Sequence, residues 1–556
     1  MINQFEILLK RLIFQIRWKK IFEKKKIPIW KNYHFNKKEI SENLYGRKIL
    51  FATSYGSHDI SLKIDALIAN KIKSLGHKAE FLFCDEFLTL CSQVNIFEFK
   101  NIDLLFSKGI KDKCIYCWGC AKKSIDQKKF IINQLSNHLK EEDYKKINDI
   151  FTQTEDKDIL NFKYKNINVG EHAYSSTLRF FARGDLKEKN SDKILKMYFY
   201  SALLTLFSFS NLIKEKNYDT IVINHGLYVP QGIIMEIAKN NNIKVVTWFP
   251  SYKNKTFIYS HKDTYHKTFL TDKIDFWEKN ELDNEKEKRV IDYIESKNLI
   301  QNKNDWHVFQ HKNSNLNFKD FAENIGIDTN KASIALFTNV MWDAQLYYDD
   351  NIFTNMLEWI FETIEFFKNK ETQLIIRIHP AEDLGSLKSR QKVKDEIIKH
   401  IGKLPKNVFI IDASDNFSSY SIIKNTIFSI VYASTIANEI VSLGKNVIVA
   451  GEAWVKNKKI SIDPKNKLEY FKMIDRLILD PSIKKDLIAR ARKFSYYFYF
   501  NRMIPIKSIV NDNKKISIFS IQKTIQSLQE GKNENGIQTI VNGIVNNKEF
   551  IHDEKN

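Results

Sequence analysis

The chain has 556 residues, too many for a single core, so two large domains are expected. Its 43% hydrophobic and 28% charged content is that of an ordinary globular protein, and 17 Gly and 8 Pro leave little room for long flexible linkers. The net charge of +20 comes with Lys, Asn and Ile abundant throughout and with no basic-aromatic binding motif, so nucleic acid is set aside as a partner, while attraction to anionic membrane surfaces or anionic substrates is retained.

No run of 18 apolar residues occurs, so no transmembrane helix is expected. Met1 to Trp30 does not read as a signal peptide, because Lys10, Arg11 and Arg17 interrupt its apolar residues and no small-residue cleavage site follows. Five cysteines without an export signal indicate a reducing, cytoplasmic compartment. Within this first segment Phe5, Leu8, Leu9, Leu12, Ile13 and Ile16 fall at helical spacing among Lys10, Arg11, Arg17, Lys19 and Lys20. Such a basic amphipathic helix either lies on lipid phosphates, which would put the protein on the inner face of the cytoplasmic membrane, or packs on its own protein.

From Gly46 the pattern becomes strand–helix–strand. Gly46 to Ser54 reads as a parallel strand, Tyr55 to Asp59 as its loop, Ile60 to Leu75 as a helix stopped by Gly76, and Glu80 to Cys84 as the next strand. The first turn lacks the glycines of a dinucleotide fingerprint. Cys84, Cys91, Cys114, Cys117 and Cys120 follow. The spacing Cys114-Ile-Tyr-Cys117-Trp-Gly-Cys120 is that of a metal knuckle, which Cys84 or Cys91 would complete as a structural zinc or iron–sulfur site; the alternative is a set of reduced thiols. Residues 127–215 read as mostly helical, with Glu171, His172 and Arg179 either facing a cleft or forming a structural polar cluster. Asp219 to Asn224 is a strand that ends in His225-Gly226, where the histidine is either placed for proton transfer or structural, and a helix from Ile233 and the strand Ile243 to Trp248 follow. Tyr252 to Tyr265 reads as a loop, Glu278 to Lys297 as a charged helix, and 300–330 as a connector.

A second α/β unit begins near Ala332. Its strands are expected from Ile334, at Gln373 to Ile378, at Asn407 to Asp412, at Thr426 to Val431 and at Asn446 to Ala450, and the alternation with helices implies a parallel sheet. Residues 465–500 read as helical, and Lys514 to Asn556 as two short helices and a frayed end. In open α/β sheets ligands bind outside the carboxyl ends of the strands. His379-Pro380 stands at one such end and Ser434-Thr435 at another. His379 can donate to a phosphate oxygen, and Pro380 fixes the turn that aims it. Ser434 and Thr435, where a helix begins, offer hydroxyls and backbone N–H groups. Glu439 lies one helical turn past Thr435, placed to accept the two hydroxyls of a ribose. Phosphate plus ribose means a nucleotide; taken singly, the same residues are an ordinary helix cap and an exposed carboxylate.

His379-Pro380, Ser434-Thr435, Glu439, Gly444-Lys-Asn-Val-Ile-Val-Ala-Gly451 and Glu452-Ala-Trp454 resemble bacterial capsule and surface polysaccharide biosynthesis proteins, which are similar to two-domain GT-B-type glycosyltransferases. The segments Arg47 to Thr53, Cys84-Asp85, Gly170-Glu171 through Arg179-Phe180, His225-Gly226, Asp263 to His266 and Phe337 to Asp343 extend the resemblance over both halves. It implies an α/β fold of two Rossmann-like domains facing a cleft, with an N-terminal helix and a helical C-terminal tail. The divisions expected are a basic segment over 1–45, an acceptor domain with the Cys cluster over 46–330, a nucleotide-sugar domain over 331–505 and a tail over 506–556.

The resemblance also implies a nucleotide-sugar donor and a glycan or lipid-linked glycan acceptor, with capsule assembly proteins as further partners. The His-Pro is similar to that of transferases using CMP-activated acidic sugars. No cofactor is required for transfer in such enzymes, and no Asp-x-Asp metal motif stands at a strand end. Arg377 or Lys456 is a candidate to add charge at the phosphate, the alternative for Arg377, which lies within the strand, being a structural role. His225, then Glu171, then Asp59 are candidates for the base that deprotonates the acceptor. The competing readings are a non-catalytic assembly or export factor that binds membrane or glycan, and a transferase of another phosphate-linked group.

Overall fold

The computed structural model describes residues 46–99, 101–125, 128–298, 317–343, 350–509 and 535–553, with 12, 13, 16, 305, 523 and 524. The expected helix of residues 1–30, residues 299–316 of the connector apart from Asp305, and much of the tail lie outside these. Twelve strands are described, in two sheets. The first sheet holds β1 (Lys48–Ser54), β2 (Lys78–Phe83), β3 (Ile131–Gln134), β4 (Thr220–Asn224), β5 (Lys244–Pro250), β6 (Thr256–His261) and, from far along the chain, β12 (Ile504–Pro505). Its order is β12-β6-β5-β4-β1-β2-β3. The five strands β3, β2, β1, β4 and β5 are parallel; β6 and β12 are antiparallel edge additions. The second sheet holds β7 (Ser333–Phe337), β8 (Gln373–Arg377), β9 (Val408–Ile411), β10 (Phe428–Val431) and β11 (Asn446–Val449), all parallel, in the order β11-β10-β7-β8-β9.

Helices cover both faces of each sheet, which is why the central strands are unbroken apolar runs rather than alternating ones. Along β1, Ile49 and Phe51 face the helix Asp59–Ser74, while Leu50 and Ala52 face the helices Val169–Phe181 and Ser191–Glu215. In the second sheet Ala335 and Phe337 point to one core, and Ile334 and Leu336 to another that includes the fully buried Trp359. Each parallel strand needs a crossover connection, and the helices supply it. The result is the α/β architecture of two Rossmann-like sheets expected from the sequence.

Three strands fall where none was expected. β3 lies inside a stretch read as helical, β6 inside a stretch read as a loop, and β12 is two residues long. The chain also returns after the second sheet. The helix Lys485–Tyr496 continues into a wider, π-type turn over Tyr497–Arg502, β12 then pairs with β6, and the helix Asn535–Asn546 packs Ile537, Ile540, Val541 and Ile544 into the core beneath β1 and β4. The sheets meet a second time at a loop contact. Arg390 N–H donates to the Ala182 carbonyl (3.0 Å), Gly184 N–H donates to the Gln391 side chain (2.9 Å), and the Arg390 guanidinium pairs with Glu188 (2.9 Å).

Candidate active site

The carboxyl ends of both sheets open onto one cleft of about 620 Å³. Tyr55 after β1, His225 after β4 and Phe249-Pro250 of β5 form one wall; Thr338 after β7, His379-Pro380 after β8 and Ser434-Thr435 after β10 form the other. Eight of the residues singled out from sequence come together here: Arg179, His225, Arg377, His379, Pro380, Ser434, Thr435 and Glu439.

On the second wall, β8 runs straight into His379, whose backbone N–H donates to the Thr338 hydroxyl (3.0 Å). The turn made by Pro380 brings the Ala381 N–H onto His379 Nδ1 (3.0 Å). A nitrogen that accepts from a backbone amide carries no proton, so Nε2 carries it and is the donor. Burial, and then the Arg377 guanidinium nearby, push this imidazole down to about 4, so it is neutral at physiological pH. Ser434 and Thr435 line the cleft with hydroxyls that bond no other described residue. A neutral N–H donor and two open hydroxyls at the ends of β8 and β10, the two strands that flank β7, suit phosphate oxygens.

Arg377 is almost fully buried. Its guanidinium donates to the backbone carbonyls of Asp412 and Asp415, tying down the loop after β9, while its Nε has no partner. Glu439 is buried and engaged on both oxygens: Oε1 accepts from Lys297 Nζ (2.6 Å) and from the Tyr499 hydroxyl, and Oε2 from the Tyr420 hydroxyl (2.6 Å). A carboxylate offers about four acceptor positions, so a ribose would have to share Glu439 with this network. Lys456 turns away; its ammonium donates to the Asp350 carbonyl (2.8 Å) and it does not line the cleft.

On the first wall, His225 and Gly226 are both left-handed, with φ of 68° and 94°. Such consecutive residues turn the chain sharply at the strand end, and glycine meets the second at no steric cost. The turn brings the His225 ring edge-on to Phe249 (centroids 5.0 Å apart) and 5.2 Å from the Tyr228 ring. Its Nδ1 is buried without a partner. Burial, with His266, Arg179 and His58 around it, holds this histidine well below its usual range and therefore neutral.

Glu171 does not line the cleft, because it stands on the wrong face of its helix. His172, Ser176 and Arg179 are four and three residues apart and share a face; Glu171 is rotated about 100° from it. His172 is a structural strut: Nδ1 meets the Leu227 carbonyl (2.6 Å), Nε2 meets Glu236 (2.9 Å), and the ring passes where a Cβ on Gly232 would sit. Burial opposes its charge, but the Glu236 carboxylate outweighs that and raises it. Arg179, on the same face, reaches the cleft. The Asp59 backbone starts its helix between His58 and Ile60, which both line the cleft; its side chain lies outside the described set.

Cys84, Cys91, Cys114 and Cys117 are reduced and half-buried beyond the cleft wall, and Cys120 is buried. The Gly56 N–H donates to Cys117 Sγ (3.1 Å). Burial first, then neighbouring acidic groups and thiols, push Cys84 and Cys114 well up and Cys91 to about 12, so these are thiols and not thiolates. Among the described residues no group of three or more His, Cys, Asp or Glu is placed to hold a metal ion, so the four thiols as they stand do not form the tetrahedral set that structural zinc takes.

Three lining residues, Tyr55, Tyr228 and Lys297, were not singled out from the sequence. The Tyr228 hydroxyl reaches across to Asp343 (3.1 Å), the Tyr55 hydroxyl donates to Asn224 (2.8 Å), and Lys297 approaches Glu439 over 142 residues of chain. Among the described residues no helix is long and apolar enough to cross a membrane.

No protein-family profile matches the chain, and no curated protein does. Solved structures to which it is similar include the beta Kdo 2,4 transferase KpsC of Thermosulfurimonas dismutans (11% identity over 56% of this chain and 87% of that one, TM-score 0.32). The alpha,alpha-trehalose 6-phosphate synthase of Burkholderia multivorans is 8% identical over 89% of this chain and 99% of its own, with a TM-score of 0.31. The UDP-GlcNAc 2-epimerase of Neisseria meningitidis bound to UDP-GlcNAc is 11% identical over 81% and 95%, with a TM-score of 0.25. At such scores the likeness carries no functional weight.

Proposed function

We propose that the protein is a glycosyltransferase that moves a sugar from a nucleotide donor, such as a CMP-activated acidic sugar, to a surface polysaccharide or glycolipid acceptor. The observation that carries this reading is the pair of facing walls: a donor set at His379, Ser434 and Thr435 on one side, and a neutral histidine, His225, on the other. In this reading His379 Nε2–H and the two hydroxyls bond the donor phosphate. Negative charge grows on that phosphate as the glycosidic bond breaks, so donors already aimed at it favour the transition state. His225, kept unprotonated by its surroundings, takes the proton of the acceptor hydroxyl. The cleft between the domains limits water at the reacting carbon.

The test is to incubate the purified protein with a panel of nucleotide sugars and glycan acceptors and to follow nucleotide release. His379→Ala is expected to lower the rate on the order of a hundredfold, the usual loss for one donor at a developing charge. His225→Ala is expected to abolish transfer while nucleotide binding is retained. If no nucleotide binds and His379→Ala still supports function in cells, the transferase reading fails in favour of a non-catalytic assembly or export factor.

A further inference from the structure

Opposite the donor set, the first domain turns a cation into the cleft and leaves it without a counter-ion. Arg179, in the last turn of the helix Val169–Phe181, donates from Nη1 to the Ser92 carbonyl (2.7 Å) and lies over the Tyr228 ring, with Cζ 5.3 Å from the centroid. Both partners are neutral, and no carboxylate among the described residues pairs with it. Of the other cations lining the cleft, Lys297 is paired with Glu439, and Arg377, held by the carbonyls of the Asp412–Asp415 loop, has the Asp415 and Asp412 carboxylates near enough to favour its charge.

The acids lining the cleft are engaged elsewhere. Asp343 accepts from Tyr228 (3.1 Å), Asp305 from Tyr293 (2.7 Å), and Glu439 from Lys297 and two tyrosines. Beside Arg179, across the Tyr228 ring, stands His225 with an unpartnered buried Nδ1. A half-buried guanidinium is costly unless an opposite charge joins it. Its flat fork of N–H donors matches the oxygens of a carboxylate or a phosphate.

We infer that Arg179 binds an oxyanion of the acceptor, a sugar carboxylate or a phosphate ester, so that the acceptor is an anionic glycan. The inference rests on the transferase reading above, in which the donor's own phosphate is held by the other wall. Arg179 is a specificity-determining residue in this account, and His225 beside it meets the hydroxyl to be glycosylated.

The experiment uses the full-length protein and three probes of similar size: methyl β-glucuronide, glucose 6-phosphate and methyl β-glucoside. Ligand-observed NMR reads the binding of each, and a separate titration reads nucleoside diphosphate affinity. The wild type is expected to bind one of the anions on the order of tenfold more tightly than the neutral glucoside, the scale of one charge-assisted hydrogen bond. Arg179→Gln is expected to erase that margin with nucleotide affinity and melting temperature unchanged, and Arg179→Lys to keep part of it. Preference for the glucuronide identifies a carboxylate, and preference for the phosphate ester identifies a phosphate. Equal binding of all three probes, no binding of either anion, or a margin that survives Arg179→Gln overturns the inference. Loss of nucleotide binding in the wild type would overturn the transferase reading alone, since the anion margin is read without nucleotide.

Discussion

The two walls of the cleft stand at equivalent places on similar sheets, yet they are finished differently. On the second wall the charged groups are held by neighbours. Arg377 is clamped by two carbonyls with the Asp415 and Asp412 carboxylates near enough to favour its charge, Glu439 accepts from three donors, and the proton position on His379 is set by the Ala381 amide. On the first wall Arg179 has only neutral partners and His225 keeps an unpartnered nitrogen. A network in place before the ligand arrives costs no reorganisation and suits a part of the ligand that is always the same, as a nucleotide phosphate is. A cation without a counter-ion is completed by the ligand, and rejects one that lacks the matching group.

Three measurements would break or sharpen this contrast. The largest effect is expected at the Lys297–Glu439 pair, whose side chains are 15% and 3% exposed. Glu439→Gln should strand the ammonium and cost about 3 kcal/mol in chemical denaturation, and Lys297→Met added to it should recover much of that. If Glu439→Gln unfolds like the wild type and instead loses nucleotide affinity, Glu439 is a ligand group and the second wall is less self-contained than described here.

The next effect is in titration. His379 should show an NMR midpoint near pH 4 in the free protein, because burial and Arg377 both oppose its charge. A bound nucleoside diphosphate should raise that midpoint, since a nearby anion favours the imidazolium. A midpoint near the ordinary 6.5, indifferent to nucleotide, would place the ring away from the phosphate. The sign for stability follows from the same values. Between about 6.5 and 4 the unfolded histidine is protonated while the folded one is not, so the contributions of His379 and of His266, also held near 4 by burial, are complete above that window and lost as pH falls through it.

The smallest effect is expected at the loop contact between the domains. Arg390→Ala removes a partly exposed ion pair with Glu188 and should change stability by less than about 1 kcal/mol in thermal denaturation. A loss of several kcal/mol would mean that the walls are locked together and not merely in contact.

Much of this was legible in the sequence because parallel strands buried on both faces write themselves as apolar runs. β1, β4, β8 and β10 stand within one or two residues of their expected limits. β12, two residues long, was too short for periodicity to register; β3 is no shorter than β10 but ends in Asn133-Gln134 and so lacks an unbroken apolar run, and β6 was hidden by the polar-aromatic stretch around it. His379, Ser434 and Thr435 were visible because each follows the end of a strand. The first wall was harder to read. Glu171 and Arg179 stood in one polar-aromatic run, and only the seven-residue spacing of Arg179 from His172, against eight from Glu171, separates the residue that reaches the cleft from the one that does not. Lys297 could not have been assigned to Glu439 by any local rule, because that pairing depends on how two sheets meet.

The return of the chain to its first sheet sets how the cleft can move. The backbone passes between the sheets once between β6 and β7 and once at the π-type turn, where Arg502 is buried against Asp272 and the Tyr259 carbonyl. A body held to another by one strand of rope can swivel; held by two, it can bend only about the line joining them. Opening should therefore be a jaw-like motion in a single plane, which returns His379 and His225 to the same opposition at each closure. The same double passage means that the first sheet is finished, at β12 and the helix Asn535–Asn546, by residues that come after the second.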